Sequence, residues 1–461
     1  MSIGSLLYTS RDSLLAHQMA LDIVGANIAN VDTPGYSRQR VDLKSTGNIT
    51  VGGSNAQIGV TVNAVDRIYD RYLDSQITEQ QQNMGYSDTM LQSLQNMEVM
   101  IDDTNGGGIN DQLNKFWASW EDLSKNPGGI VERTALVATA ENLTGSFAAY
   151  RQNLETINTD LNRSIADVVS QINDKVSEIT DLNAKIITIP GDKGDRNILL
   201  DKRSQALKEL SGLIDITQVE TADGSVSVFM SNGEPLLQGN LGQTLSVRQN
   251  TSGRSDILSS NSPGQPIQEA IKGGKLGAFV ELQNSILPEY VTAIDATAKA
   301  LADRVNELHR NGFDTYQNTG ADFFEIANST NMAGTIQVSS AIRSDANRIA
   351  AAASVTGDAE NATKIAAVQN ELLMNSNTSS LNSFLASLVG KIGNQVSSAK
   401  TDSDHQTIIA NQLINQRESV SGVSLDEEMI RLIKYQMGYT AAGKLCTTVN
   451  EMLETLMNLV K

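Results

Sequence analysis

The sequence predicts a mainly α-helical protein with a smaller β part: an elongated, multidomain molecule whose N- and C-terminal helices pair as a coiled coil. Three observations predict it. Both ends carry apolar seams at helical spacing, long helical runs fill most of the interior, and strict apolar–polar alternation takes over around 214–268.

The first element is the clearest. Ile3, Leu7, Ser10, Leu14, His17, Leu21, Val24 and Ile28 follow one another at spacings of four and three, a heptad seam on one face of a helix. It runs for roughly 40 Å at 1.5 Å per residue. Next comes "GANIANVDTPGYSRQRVDL" at 25–43. Gly25, Ala26 and Ala29 make a small-residue patch suited to close helix approach, and Asn27 and Asn30 share a face from which they can bond neighbouring backbone. Thr33 is pushed to an extended conformation by Pro34, and Pro34-Gly35 suits the centre of a type II turn leading into Tyr36. The segment thus reads as a stiff joint between a helical arm and the body.

Residues 64–100 read as helix, 102–111 as a loop, 110–124 as a short helix carrying Trp117 and Trp120, and 130–187 as a second long helix. "IPGDKGDRN" breaks it before a helix at 197–213. Alternation then begins, with Asp223-Gly224 and Asn232-Gly233 as hairpin turns. Helix returns at 289–311, 313–340 looks β-like, and 380–418 is helical.

The last helix mirrors the first. Leu425, Met429, Leu432, Gln436, Tyr439, Gly443 and Cys446 form a seam, which Val449, Leu453, Leu456 and Val460 continue after one register slip. Ser424 with Glu427 reads as a capping box, and Asp426, Glu427 and Glu428 suit the helix dipole. The resulting division is a terminal coiled-coil assembly domain (1–35 and 420–461), a mainly helical body (36–213 and 269–419) and a small β insert (214–268), with 313–345 as a candidate extension of the insert.

Composition narrows the function. A net charge of −18 argues against nucleic acid and anionic membrane surfaces, and no run of 18 apolar residues suggests a membrane span. The N-terminus lacks the pattern of a cleaved signal peptide. Aromatics are only 4%, so cores must be built from aliphatic residues, and a single cysteine, Cys446, excludes an internal disulfide. "DDTNGGGINDQLN" falls short of a calcium loop: with Asp103 as position 1, Gly107 and Asn114 stand where ligands are needed. His17, His309 and His405 have no partners at metal-ligand spacing, and His17 reads as a polar seam residue that sets register. No catalytic, cofactor or metal residues are expected.

At this point the motifs add up. "ANIANVDTPGYSRQ" resembles the N-terminal signature of the flagellar axial proteins (rod, hook and hook-associated), and residues 421–459 resemble the matching C-terminal signature. Residues 113–144, 197–216, "GADFFEI" and "AGTIQVSSAI" are similar to the hook-associated protein 1 family in particular, though the central β portion is small for that family. The resemblance implies a structural, non-enzymatic protein without cofactor, nucleic-acid, membrane or small-molecule partners. It implies a short ring-like zone of copies acting as mechanical adaptor between hook and filament. The implied partners are the hook protein, the next hook-associated protein on the filament side, and a flagellar export chaperone held by the C-terminal seam. Export to the flagellum would run through the flagellar type III apparatus. A hook or rod protein shares the terminal signatures but lacks the 113–144 and 197–216 patterns; a secreted enzyme with helical arms is the remaining alternative.

Overall fold

Residues 3–51, 54–101, 108–189, 194–354 and 357–459 are described by the structure, a computed structural model. The calcium-like stretch at 102–107, the helix break at 190–193, the seam residue Val460 and the side chain of Ile3 lie outside what is described.

The chain starts with α1 (Ile3–Ala29), followed by a long antiparallel hairpin of β1 (Gln39–Val51) and β2 (Ser54–Arg67). Then come α2 (Arg71–Ile101), α3 (Ile109–Lys125), α4 (Ile130–Thr188) and α5 (Gly194–Leu213). The β region comprises β3 (Ile216–Glu220), β4 (Val226–Met230), β5 (Pro235–Gln238), β6 (Leu241–Gly242), β7 (Leu245–Gln249) and β8 (Ser255–Ser259). The order β3-β4-β5-β6 forms one antiparallel sheet and β7-β8 a separate hairpin. Helix returns as α6 (Gly274–Glu281), a π-helical turn (Leu282–Ile286) and α7 (Leu287–Arg310). A compact stretch follows, with β9 (Phe324–Ile326), α8 (Met332–Thr335), β10 (Ile336–Val338), α9 (Ser340–Ser344) and α10 (Glu360–Ala367). The chain ends on α11 (Leu381–Ser421) and α12 (Leu425–Leu459).

One helix organises the body. At 59 residues, α4 is about 90 Å long at 1.5 Å per residue. Its first half, through Leu136, Leu143, Phe147 and Leu154, lies in a core shared with α2, α3, α7, α10 and α11. Its second half, through Ile165, Ile172, Ile179 and Ile186, lies in a second core with α5, α6 and the inner faces of β3, β4, β5, β7 and β8. The β insert therefore closes no core of its own. Val228, Leu236, Leu237 and Ile257 are fully buried in the second core.

The scarce aromatics are concentrated in the first core. Phe116, Trp117, Trp120, Phe323 and Phe324 pack with ring centroids 4.9–6.3 Å apart. That cluster decides the place of 313–345. β9 and β10 pair there, against α4 and α7, so this stretch belongs to the helical body and does not extend the insert. Alternation showed strands but could not show which core they join.

The β1–β2 hairpin is the larger departure, because helix was expected from residue 64. The period-2 pattern is in the sequence, through Val41, Leu43, Ile49 and Val51 in β1 and Ala56, Ile58, Val60, Val62 and Ala64 in β2, and the reading of helix from 64 passed over it; at the stem Val41 pairs with Val65 and both are buried. The helix begins after Asp70, whose carboxylate accepts the N–H groups of Tyr72 (2.9 Å) and Leu73 (3.1 Å).

His309 sits fully buried against Phe323, its Nδ1 2.5 Å from Ala321 O and its Nε2 accepting Ala350 N–H at 2.9 Å. That pattern requires the neutral ring, and burial holds its pKa down to about 4. An unfolded histidine takes its proton near pH 6.5, so between those values the unfolded chain binds more protons and stability falls as pH drops. Comparing wild type with His309→Gln in urea titrations at pH 7 and pH 4.5 isolates this effect. The wild type should lose about 2–3 kcal/mol more than the variant over that interval.

Candidate assembly joint and terminal hairpin

α1 packs along α12 and against the β1–β2 stem, so the two chain ends form one helical hairpin. Small residues on α12 set the approach. A side chain at Gly438 would reach within 2.7 Å of the His17 ring, and the Gly443 position faces Leu14. His17 thus lies on the α1–α12 interface, 6.2 Å from the Tyr435 ring. Of the N-terminal seam, Val24 is buried and Leu7, Leu14, Leu21 and Ile28 are half-buried.

In its first half α12 is rotated from the seam read in its sequence, whereas Leu432, Gly443, Cys446, Val449 and Leu453 of that seam are protected. Its protected residues are Glu428, Leu432, Tyr435, Ala442, Cys446, Val449 and Leu453, with Glu428, Ala442 and Val449 buried. Leu425, Met429, Tyr439 and Leu456 stand exposed. Sequence reasoning favoured the more apolar register; the fold instead seats Glu428 and the small residues of α12 on α1. The outer side keeps a patch of Met429, Ile430, Ile433 and Met437, with Ile430 68% and Met437 64% exposed. On α1, Tyr8, Leu15 and Met19 make a second exposed apolar strip.

The joint itself is built around Asn27, which has no solvent exposure. Its Oδ1 accepts Gln39 N–H (3.0 Å) and the Tyr36 hydroxyl (2.9 Å). Its Nδ2 donates to Gln39 O (2.9 Å) and to Glu428 Oε2 (3.0 Å). Both donors and both acceptor sites of the amide are therefore used, and one side chain ties α1, the first residue of β1 and the start of α12 together. Glu428, also without exposure, has its other oxygen 3.6 Å from Arg431 Nη1. Burial, and then the carboxylates of Asp201 and Glu428, push the Tyr36 phenol up to about 12, so it stays a donor across the physiological range.

The turn is as the sequence predicts. Tyr36 N–H bonds Thr33 O at 3.2 Å and Gly35 has φ of +80°, the type II geometry. A Cβ on Gly35 would also approach Gln205 Oε1 to 3.0 Å. Asn30 acts locally, its amide donating to Ala26 O (2.9 Å) while its oxygen accepts the Thr33 hydroxyl (3.2 Å). The small-residue patch does not serve an intrachain helix contact: Gly25 and Ala29 are exposed, with open space beside Gly25, and Ala26 lines a cleft of about 520 Å³ toward α5. The notch that permits close approach lies on α12, at Gly438.

A second layer fixes the joint to the body. Ser37 N–H bonds Asp201 Oδ2 (3.1 Å), and Asp201 Oδ1 lies 2.6 Å from Arg67 Nε. The Arg67 guanidinium stacks 4.1 Å over the Tyr69 ring, whose hydroxyl donates to Asp74 (2.9 Å); Asp74 in turn pairs with Lys208 (2.5 Å). Burial outweighs Arg67 and raises the Asp201 pKa. From α11, Arg417 donates to Tyr36 O (2.9 Å) and Ser421 O accepts Arg38 N–H (2.9 Å). The capping box at Ser424 gives way to this layer, because the Glu427 carboxylate takes Arg38 (2.8 Å) and Arg431 (3.4 Å). Glu428 was legible only as a dipole residue, and Gln39, Asp201 and Arg67 carried no signal, their partners being far away in sequence.

Among the described residues no helix is long and apolar enough to cross a membrane, and no three His, Cys, Asp or Glu side chains group as metal ligands.

Three family models match the chain. The one described as "Flagellar hook-associated protein FlgK helical domain" covers residues 94–324. "Flagella basal body rod protein" covers 7–36, and "Flagellar basal body rod FlgEFG protein C-terminal" covers 415–459. The last two bracket α1 with its joint and α12. The chain is 30% identical to flagellar hook-associated protein 1 of Bacillus subtilis, over 98% of this chain and 97% of that protein. It is 26% identical to the protein of the same name from Salmonella typhimurium, over 99% and 100%. The solved flagellar hook junction protein FlgK from Burkholderia pseudomallei superposes with a TM-score of 0.68 at 17% identity, covering 75% of this chain and all of that one.

Replacing Asn27 tests the joint. Asn27→Ala strands the Gln39 amide and carbonyl and the Glu428 carboxylate, at about 1–3 kcal/mol for each group left buried and unpaired. Hydrogen exchange at 24–40 and 421–432 should quicken by at least tenfold, while amides of α3 and α7 keep their protection. Unchanged exchange at the joint would remove Asn27 from its central place.

Proposed function

The chain belongs to the flagellar hook-associated protein 1 family, and on that premise we propose that it forms the junction between hook and filament. It is a structural protein of the bacterial flagellum. In this reading copies of the chain make a short ring-like zone, with the hook protein on one side and the next hook-associated protein on the other. The role is mechanical, with no catalytic step. The observation that carries the reading is the terminal hairpin: its inner faces are closed against each other, while its outer faces are apolar.

The outer faces suit a second copy. Met429, Ile433 and Met437 offer an apolar strip with Lys434 and Lys444 beside it, and Leu15 and Met19 offer another with Asp22 beside it. Side by side, neighbouring hairpins would cover apolar surface and match lysines with an aspartate. Each large apolar side chain fully covered contributes about 1.5–3 kcal/mol. Before assembly the same outer face of α12 is the surface a flagellar export chaperone would shield during passage through the type III apparatus, as an amphipathic helix in a groove.

A strain lacking this protein should carry hooks without filaments when viewed by electron microscopy. Complementation with Ile433→Asp or Met437→Asp should restore fewer than about a tenth of wild-type filaments, although the purified variants melt within about 2 °C of wild type, because both side chains lie outside the folded cores. Filaments at wild-type number in either complemented strain would remove α12's outer face from assembly.

A further inference from the structure

The described methionines fall into buried and exposed groups, with Met84 and Met332 half-buried between them. Met90, Met97, Met230 and Met374 are buried in the two cores. Among the described residues six are exposed: Met100 at the end of α2, Met19 on α1, and Met429, Met437, Met452 and Met457 on α12. Five of the six therefore stand on the terminal hairpin; Met19, Met429 and Met437 supply much of its apolar outer face, and Met452 and Met457 lie exposed toward the end of α12. Ile430 and Ile433 sit among them, so the face is apolar without requiring sulfur at every position. Flexible thioethers let one helix pack against unlike neighbours, but they also carry a chemistry that leucine lacks.

We propose that Met19, Met429, Met437, Met452 and Met457 form an oxidation-sensitive site, at which peroxide acting before assembly reversibly blocks incorporation of the subunit. The proposal rests on the outer face of the hairpin being an assembly surface. In the step, a thioether sulfur attacks one peroxide oxygen, the O–O bond breaks, and the products are a sulfoxide and water; sulfur is oxidised by two electrons and peroxide reduced by two. The product is polar and has a strong acceptor oxygen. Covered by a neighbouring apolar face, that oxygen would lose its water without gaining a donor, which opposes docking. A dithiol working through sulfoxide reductases returns two electrons, releases the oxygen as water and becomes a disulfide, so the block is reversible. The folded chain itself is unaffected, since the core methionines are shielded.

The test uses full-length protein carrying Cys446→Ser, which removes the one thiol. Timed hydrogen peroxide treatment with peptide mass mapping should oxidise the five hairpin methionines and Met100 at least tenfold faster than the four buried ones. Purified protein is then added to hooks isolated from a strain lacking it, and bound protein is measured by sedimentation. Oxidation should lower binding at least tenfold, and treatment with both epimer-specific sulfoxide reductases should restore it. In a variant with all five hairpin methionines changed to Leu, binding measured against that variant's own untreated value should change less than twofold on peroxide treatment, Met100 still being oxidised. Complete oxidation of the five with unchanged binding would overturn the proposal, as would equal loss in the Leu variant or no recovery after reduction. Untreated Ile433→Asp separates the two readings. Its normal binding would mean that the outer face is no assembly surface. Its loss of binding, beside a peroxide-insensitive wild type, would defeat the oxidation site alone.

Discussion

The buried amide of Asn27 is the constraint on which the placement of the terminal arm depends. It satisfies the backbone of Gln39, the hydroxyl of Tyr36 and the carboxylate of Glu428 at once. Each of these groups would be costly to bury alone, so the end of α1, the entry to β1 and the start of α12 are favourable only together. A carboxylate in place of the amide would offer acceptors alone and would face Glu428 directly. Few other side chains could present two acceptors and two donors in this space, which gives the asparagine of the joint a physical reason for its place.

The Asp201–Arg67–Tyr69–Asp74–Lys208 relay extends that constraint outward, from the hairpin stem to α5 and α2. Force delivered to the terminal hairpin thus enters the body through paired buried charges and a type II turn. The long helix α4 then spans both body cores. A protein of an axial assembly has to pass load along its length, and a continuous helix shared by two cores does so without a flexible linker between them. The β insert covers the second core, which gives it a part in this stiffness.

The cores and the hairpin show opposite chemistry. The cores hold the aromatic cluster and the shielded methionines, whereas the outer faces of α1 and α12 leave Ile430, Ile433 and Met437 to solvent. A chain with a net charge of −18 tolerates such faces while single, because like charge keeps copies apart in solution. In the proposed assembly, pairing of lysines with an aspartate beside the apolar strips would give neighbours in register a way past that repulsion.

Periodicity alone determined the helices at both ends, the long helices α4 and α11, and the switch to strands after residue 214, because spacing of apolar residues is a local property. The Thr33–Tyr36 turn was equally legible, since Pro34 and Gly35 restrict their own backbone. Tertiary structure decided the rest. Which face of α12 turns inward was set by the Glu428 contact with Asn27 and by the Gly438 notch opposite His17, contacts made across some 400 residues. Whether 313–345 joined the insert or the body was set by aromatic packing, and Asp201 became part of the joint only because α5 folds back beside Ser37. The terminal α1–α12 pairing follows from two seams without local partners; its register does not, because a heptad pattern admits neighbouring registers of similar apolarity and only the buried polar contacts between the two helices separate them.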